Sequence, residues 1–157
     1  MFQSNTYTIR TAQAKDARRI SYLIQKNTEQ VKDNGYQTAQ VRVWKKANTP
    51  TAILKKLDHC QIFCAFHHRR LVGTIGLKGT EVFGCYVNAH QRGKGIGQLL
   101  VHHLIQMARN QGLKQLYLYA TPSAKGFYLR HNFKPEEKVC NQIDGVNFWE
   151  TKMSLYL

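Results

Sequence analysis

"AHQRGKGIGQLLVHH", Ala89 to His103, sets three glycines at alternate positions, Gly93, Gly95 and Gly97, among two cationic side chains and the start of an apolar-periodic segment. Ile96, Leu99, Leu100, Leu104 and Met107 keep helical spacing as far as Gly112, a suitable C-terminal stop. Upstream, "EVFGCYV" from Glu81 to Val87 is β-prone. A glycine loop between strand and helix lets a ligand approach the backbone without Cβ obstruction, and N–H groups at a helix N-terminus form a concave anion site. Arg92 and Lys94 add positive charge at its rim. Spacing excludes two other glycine loops. The Walker loop needs four residues between its first Gly and Gly-Lys-Ser/Thr. The dinucleotide fingerprint needs a third glycine where Gln98 or Leu100 stands.

Outward from the loop, "QIFCAF", "LVGTIGL" and "EVFGCYV" are three short β-prone segments with tight connections, which predicts an antiparallel meander. Before them, "YTIR" predicts a strand and "AKDARRISYLIQK" a helix with an Ile20, Leu23, Ile24 stripe. Asn34 and Gly35 interrupt the pattern, a second helical region carries Tyr36, Val41 and Trp44, and Thr49 can cap a helix with Pro50 at its first position. After Gly112, "LYLYA" (Leu116 to Ala120) predicts a strand. "TPSAKGFYLRHNF" predicts a helix capped by Thr121 with Pro122 at its first position. The closing "VNFWETKMSLYL" alternates, with Trp149, Thr151, Met153 and Leu155 on one face.

Residues 1–157 fit one domain, since 157 residues support one full core but not two. No apolar run of about 18 residues and no signal-peptide core is present, which predicts a soluble, cytoplasmic protein without a membrane partner. Twenty-three Lys and Arg against nine Asp and Glu give a formal charge of +14, but the cations are dispersed and form no nucleic-acid motif, which argues against a nucleic-acid partner. Cys60, Cys64, Cys85 and Cys140 lack metal-site spacing, and the seven histidines are equally unorganised, so no metal is expected. Free thiols are expected instead, with Cys60 and Cys64 sharing one strand face, while His102 and His103 point to different sides of their helix.

"YVNAHQRGKGIGQLLV" resembles the acetyl-CoA loop of the GNAT superfamily of N-acetyltransferases, Gln/Arg-x-x-Gly-x-Gly/Ala after a strand, here Arg92-x-x-Gly95-x-Gly97. The element order, the "LVGTIGL" strand and "AKGFYLRHNF", similar to the family's Phe-Tyr helix before a final hairpin, extend the resemblance over nearly the whole chain. It implies the GNAT fold, an α/β (α+β) architecture with a mixed central sheet of about six to seven strands flanked by four helices. It also implies acetyl-CoA as donor substrate, its pyrophosphate on the backbone of Arg92, Gly93, Lys94, Gly95, Ile96 and Gly97. The pantetheine arm would run beside Cys85, Tyr86 and Val87, where a splayed strand leaves N–H groups free for the thioester carbonyl.

By the same resemblance Glu81 is the general base and Tyr128 the general acid toward the departing thiolate, with Phe127 left to packing. An alkyl amine of pKa about 10.4 is only about one part in a thousand neutral at pH 7, and a carboxylate can relay its proton through water. A phenol of ordinary pKa about 10 is a protonated donor there. Thr121 stands where relatives usually have Asn, and Asn132 where they usually have Gly. Tyr36, Trp44 and Trp149 are candidates for the acceptor side, although Trp44 at helical spacing also suits a core. So few acids favour a neutral or anionic amine-bearing acceptor over a polycation. Cys85 within a strand is poorly placed for a covalent acyl-enzyme, so direct attack in a ternary complex is expected. A homodimer is compatible with the sequence. The alternative reading is a noncatalytic module that binds coenzyme A or nucleic acid.

Overall fold

The computed structural model describes residues 6–30 and 36–157; the interruption expected at Asn34 and Gly35 lies outside them. The chain runs β1 (Tyr7–Thr11), α1 (Ala17–Gln30), α2 (Thr38–Ala47), α3 (Pro50–Leu57), β2 (Gln61–His67), β3 (Arg70–Lys78), β4 (Glu81–Val87), α4 (Ile96–Asn110), β5 (Gln115–Ala120), α5 (Lys125–Arg130), β6 (Lys134–Ile143) and β7 (Val146–Tyr156). The seven strands form one sheet in the order β1-β2-β3-β4-β5-β7-β6. Every pairing is antiparallel except β4 with β5.

The fold class is the expected one, with five helices among the described residues rather than four. Thr49 separates α2 from α3: its side chain accepts from Ala52 N at 3.2 Å, and Pro50 follows. The Cys60 expectation is corrected, because Cys60 precedes β2 and only Cys64 lies within it, fully buried; all four cysteines are free. Thr121 does not cap a helix. Its carbonyl accepts from Ala124 and Lys125, so Pro122 falls in a turn and α5 begins at Lys125. Asn132 adopts the left-handed geometry suited to a helix end, with φ 67°. Asp144 and Gly145, φ 50° and 74°, make the two-residue turn joining β6 to β7, a signal the sequence offers in its Asp-Gly pair.

Two apolar layers sandwich the sheet. On one face Leu100, Val101, Leu104 and Ala108 of α4, with Tyr128 and Phe133, pack on Phe63, Val72, Leu116, Leu118 and Met153. On the other, Ile20, Leu23 and Ile24 of α1 and Ile53 of α3 cover Ile62, Cys64, Phe66 and Leu71. Each fully buried aliphatic contributes about 1.5–3 kcal/mol. His102 and His103 do diverge: His103 packs edge-on to Phe63 at 4.9 Å, and His102 sits 5.6 Å from His131.

A buried carboxylate fixes the start of α1. Asp16, 1% exposed, receives Arg10 Nη1 and Nη2 at 2.7 and 3.0 Å and Gln13 N at 2.8 Å. The Arg10 hydrogen bond holds its pKa below the usual aspartate value. Asp16→Ala is expected to cost about 2–3 kcal/mol in urea unfolding at pH 7, less than for a fully buried pair because Arg10 is part-exposed. A lowered folded-state pKa stabilises above the unfolded value and is lost as pH falls through the folded one. The gap between variant and wild type should therefore narrow below about pH 4.

Candidate active site

β4 and β5 are parallel and share one pairing, Glu81 with Tyr117, closed by Tyr117 N to Thr80 O at 3.0 Å. Beyond it they diverge. The same strand carries a bulge: Gly76 pairs with Phe83 and Thr74 with Tyr86, so Gly84 and Cys85 together oppose Ile75, and Gly84 has φ 60°. The extra residue resets the alternation. Glu81 and Phe83 precede it, and after it Tyr86 packs with the α1 layer while Cys85 and Val87 turn to the α4 layer.

The glycine loop opens at the wide end of this gap. Gly93 and Gly95 are left-handed, φ 76° and 80°, and a Cβ at either would meet nothing within 4 Å, so their need for glycine is conformational. At Gly97 the need is packing, since a Cβ would stand 3.1 Å from the Phe127 ring. Among the described residues, no backbone or side-chain acceptor takes the N–H of Gly93, Lys94, Gly95, Ile96 or Gly97. Five successive unpaired donors at the N-terminus of a fifteen-residue helix suit a diphosphate. Arg92 N, by contrast, is engaged at 3.5 Å by Ala89 O. The Arg92 guanidinium donates to Asn27 Oδ1 at 2.6 Å, while Asn27 Nδ2 is anchored on Leu23 O, so Arg92 ties the loop to α1.

Between the diverging strands lies a cleft of about 660 Å³. It is lined by Glu81, Phe83, Cys85, Tyr86, Val87 and Arg92 on one side and by Tyr119, Thr121, Tyr128 and Glu150 on the other. Tyr36 and Trp44 wall one end, their rings 5.0 Å apart, and Tyr36 Oη reaches across to Ser123 Oγ at 3.3 Å. A larger groove of about 830 Å³ lies between α1, the β2–β3 turn and Asn88–His90, but the carboxylates and the buried phenol converge on the smaller cleft.

Within the cleft Glu81 Oε2 accepts from Tyr117 Oη at 3.3 Å. Tyr128 is buried, 8% exposed, and lies beside Cys85. Burial first, then neighbouring Cys85 and Tyr86, raises the Tyr128 pKa well above the ordinary phenol value, so it stays protonated. Burial pushes the Cys85 thiol up to about 12, and burial, Cys85 and Glu150 bring Tyr86 to about 12.

The structure thus brings Glu81, Cys85, Tyr86, Val87, Arg92 and Tyr128 to one cleft, with the Gly93–Gly97 backbone at its mouth. Tyr36 and Trp44 join them, and Trp149 does not. It is 56% exposed with Lys138 Nζ 5.5 Å from its ring, whereas Phe148 turns inward to Trp44 at 5.1 Å. Glu150, Asn27, Tyr119 and the Gly84 bulge escape the sequence reading. Among the described residues, no group of three or more His, Cys, Asp or Glu side chains could hold a metal ion, and no helix is long and apolar enough to cross a membrane.

Residues 28–156 match the family model for the acetyltransferase (GNAT) domain. No curated protein matches the chain. Among solved structures, a GCN5-related N-acetyltransferase from Rhodopseudomonas palustris superposes with TM-score 0.89 at 22% identity, over 97% of this chain and 96% of that one. PaiA N-acetyltransferase from Thermoplasma acidophilum, solved with coenzyme A, gives 0.82 at 18% identity over 97% and 99%. Ribosomal-protein-S5-alanine acetyltransferase from Vibrio fischeri gives 0.73 at 17% identity over 99% and 95%. The sheet with its single parallel seam, the glycine loop at the seam's open end and a family match over most of the chain lead to one assignment: the protein belongs to the GNAT acetyltransferases.

Proposed function

We propose that the protein is an N-acetyltransferase that moves the acetyl group of acetyl-CoA to an amine by direct attack in a ternary complex. The observation that carries this reading is the run of five unpaired amides, Gly93 to Gly97, opening onto a cleft that holds Glu81 and Tyr128. Acetyl-CoA supplies an activated thioester. The loop amides hold its diphosphate, and the gap between β4 and β5 aligns the pantetheine arm with Cys85, Tyr86 and Val87. The amine nitrogen bonds to the acetyl carbon, the carbon–sulfur bond breaks, the amine proton passes to Glu81, and the thiolate is protonated by Tyr128. A Cys85 thiol with its pKa near 12 is not a thiolate at neutral pH, which supports direct attack over an acyl-enzyme.

The test is release of free coenzyme A from acetyl-CoA across a panel of amines, amino acids and peptides, with propionyl- and succinyl-CoA compared as donors. Amine-dependent release is expected, and saturable donor binding with no release for any acceptor would overturn the reading. The donor site has its own test in Gly95. An L-residue in the left-handed region costs about 1–2 kcal/mol, and Asn tolerates it better than Ala. Gly95→Ala should therefore weaken coenzyme A binding by about 5- to 30-fold in calorimetry, with Gly95→Asn between it and wild type.

A further inference from the structure

Nine carboxylate side chains serve the whole chain, and two of them, Glu81 and Glu150, line the cleft. Glu150 lies on β7 one residue beyond the last β5–β7 pairing, Ala120 with Thr151. Its Oε1 accepts from Asn141 Nδ2 at 2.9 Å, which orients the carboxylate from the neighbouring strand. Its Oε2 has no hydrogen-bond partner among the described residues. Burial, and after it the charge of Glu81 across the cleft, raise the Glu150 pKa.

Positive charge that could offset them is committed elsewhere. Arg92 is the one Lys or Arg among the described lining residues, and its guanidinium donates to Asn27. Lys152, two residues beyond Glu150 on β7, pairs with Glu136 at 3.7 Å and lies over the Tyr117 ring at 5.4 Å. Two carboxylates in a part-buried cleft destabilise each other until a cation arrives, and the cation is stabilised in return. The aromatic wall of Tyr36 and Trp44 is compatible with an alkylammonium, because ring faces attract cations.

We propose that Glu150 is a specificity-determining residue that selects acceptors carrying a second positive charge, a diamine or longer polyamine. Glu150 holds the distal ammonium while the reacting nitrogen lies beside Glu81. The inference rests on the N-acetyltransferase reading of the cleft. It replaces the neutral or anionic acceptor that the overall acid count suggested, because the placement of two carboxylates matters more than their number in the chain.

The experiment compares three series of acceptors of matched length, three to eight carbons, with acetyl-CoA as donor: α,ω-diamines, n-alkylamines and ω-amino acids. At the best length wild type should favour the diamine over the alkylamine in kcat/KM by about tenfold or more, and over the amino acid by a wider margin. Glu150→Gln should bring the diamine-to-alkylamine ratio to within about twofold while calorimetry shows coenzyme A affinity retained. Glu150→Asp, which keeps the charge, should restore part of the preference. Equal or better turnover of alkylamines or amino acids by wild type at every length, or a ratio that persists in Glu150→Gln, overturns the proposal. If no amine is acetylated, the transferase reading fails separately. Calorimetry of 1,4-diaminobutane with the coenzyme A complex then decides the charge selection: binding lost in Glu150→Gln upholds it, and no binding, or binding indifferent to Glu150, overturns it.

Discussion

Glu81→Gln is expected to lower kcat/KM by about 100- to 10,000-fold near pH 7, the usual range for a lost general base, with a deficit that shrinks as pH rises. The amine must be neutral to attack, and withholding its proton at pH 7 costs roughly 4–5 kcal/mol for a pKa of about 10.4. As the proposed base, Glu81 would receive that proton on the β4 edge of the cleft, where Tyr117 Oη at 3.3 Å orients it. Without it the rate should follow the small neutral fraction of free amine and climb about tenfold per pH unit until the amine's own pKa is approached. Steady-state kinetics from pH 6 to about 10 on one verified acceptor, with donor affinity followed in parallel, provides the check. A pH-independent deficit would identify Glu81 as a structural carboxylate closing the β4–β5 seam.

Tyr128→Phe should slow turnover across the same range by a factor that does not change with pH. Loss of acid help to a thiolate is worth about 100- to 10,000-fold. Because burial and its neighbours hold the Tyr128 pKa well above the ordinary phenol value, the hydroxyl is present as a donor at every pH in the range. Phe keeps the ring that packs on Phe133 at 5.7 Å, so the fold should survive. Cys85 beside it stays a neutral thiol, so the change leaves no buried charge. The two profiles together separate the assignments, one sloping and one flat. A loss below about threefold for both would remove Glu81 and Tyr128 from the chemistry.

The glycine loop was legible because its determinants are local. Left-handed Gly93 and Gly95, the helix start at Ile96 and the strand before them sit within seventeen residues, and local geometry needs no knowledge of distant partners. The far wall of the cleft was not, because it is assembled from α1, α2, β6 and β7 across the sheet. Trp149 shows why strand alternation alone does not place a side chain in the cleft. The alternation that groups it with Met153 is real, and Met153 belongs to the α4 layer. That parity carries Phe148 and Glu150 to the opposite face, where Phe148 meets Trp44 and Glu150 lines the cleft. The Tyr128–Cys85 contact depended on the Gly84 bulge, since an unbroken alternation would put Cys85 on the face of Glu81 and Phe83. Asn27 gave no signal, being an amide on a helix until Arg92 arrives from 65 residues away.

The lone parallel pairing of Glu81 with Tyr117 also bears on how the molecule holds together. β1 to β4 form one continuous antiparallel ribbon and β5, β7 and β6 another, and among the described residues their backbones are stitched only at the narrow end. If the donor lies in the opening as proposed, it would take up main-chain groups that the next strand would occupy in an uninterrupted sheet, and so would act as a non-peptide strand spliced between two ribbons. Widening the mouth for bulkier acyl groups would remove more of the stitching. The reach of the chemistry and the cooperativity of unfolding are thereby set against each other at one seam.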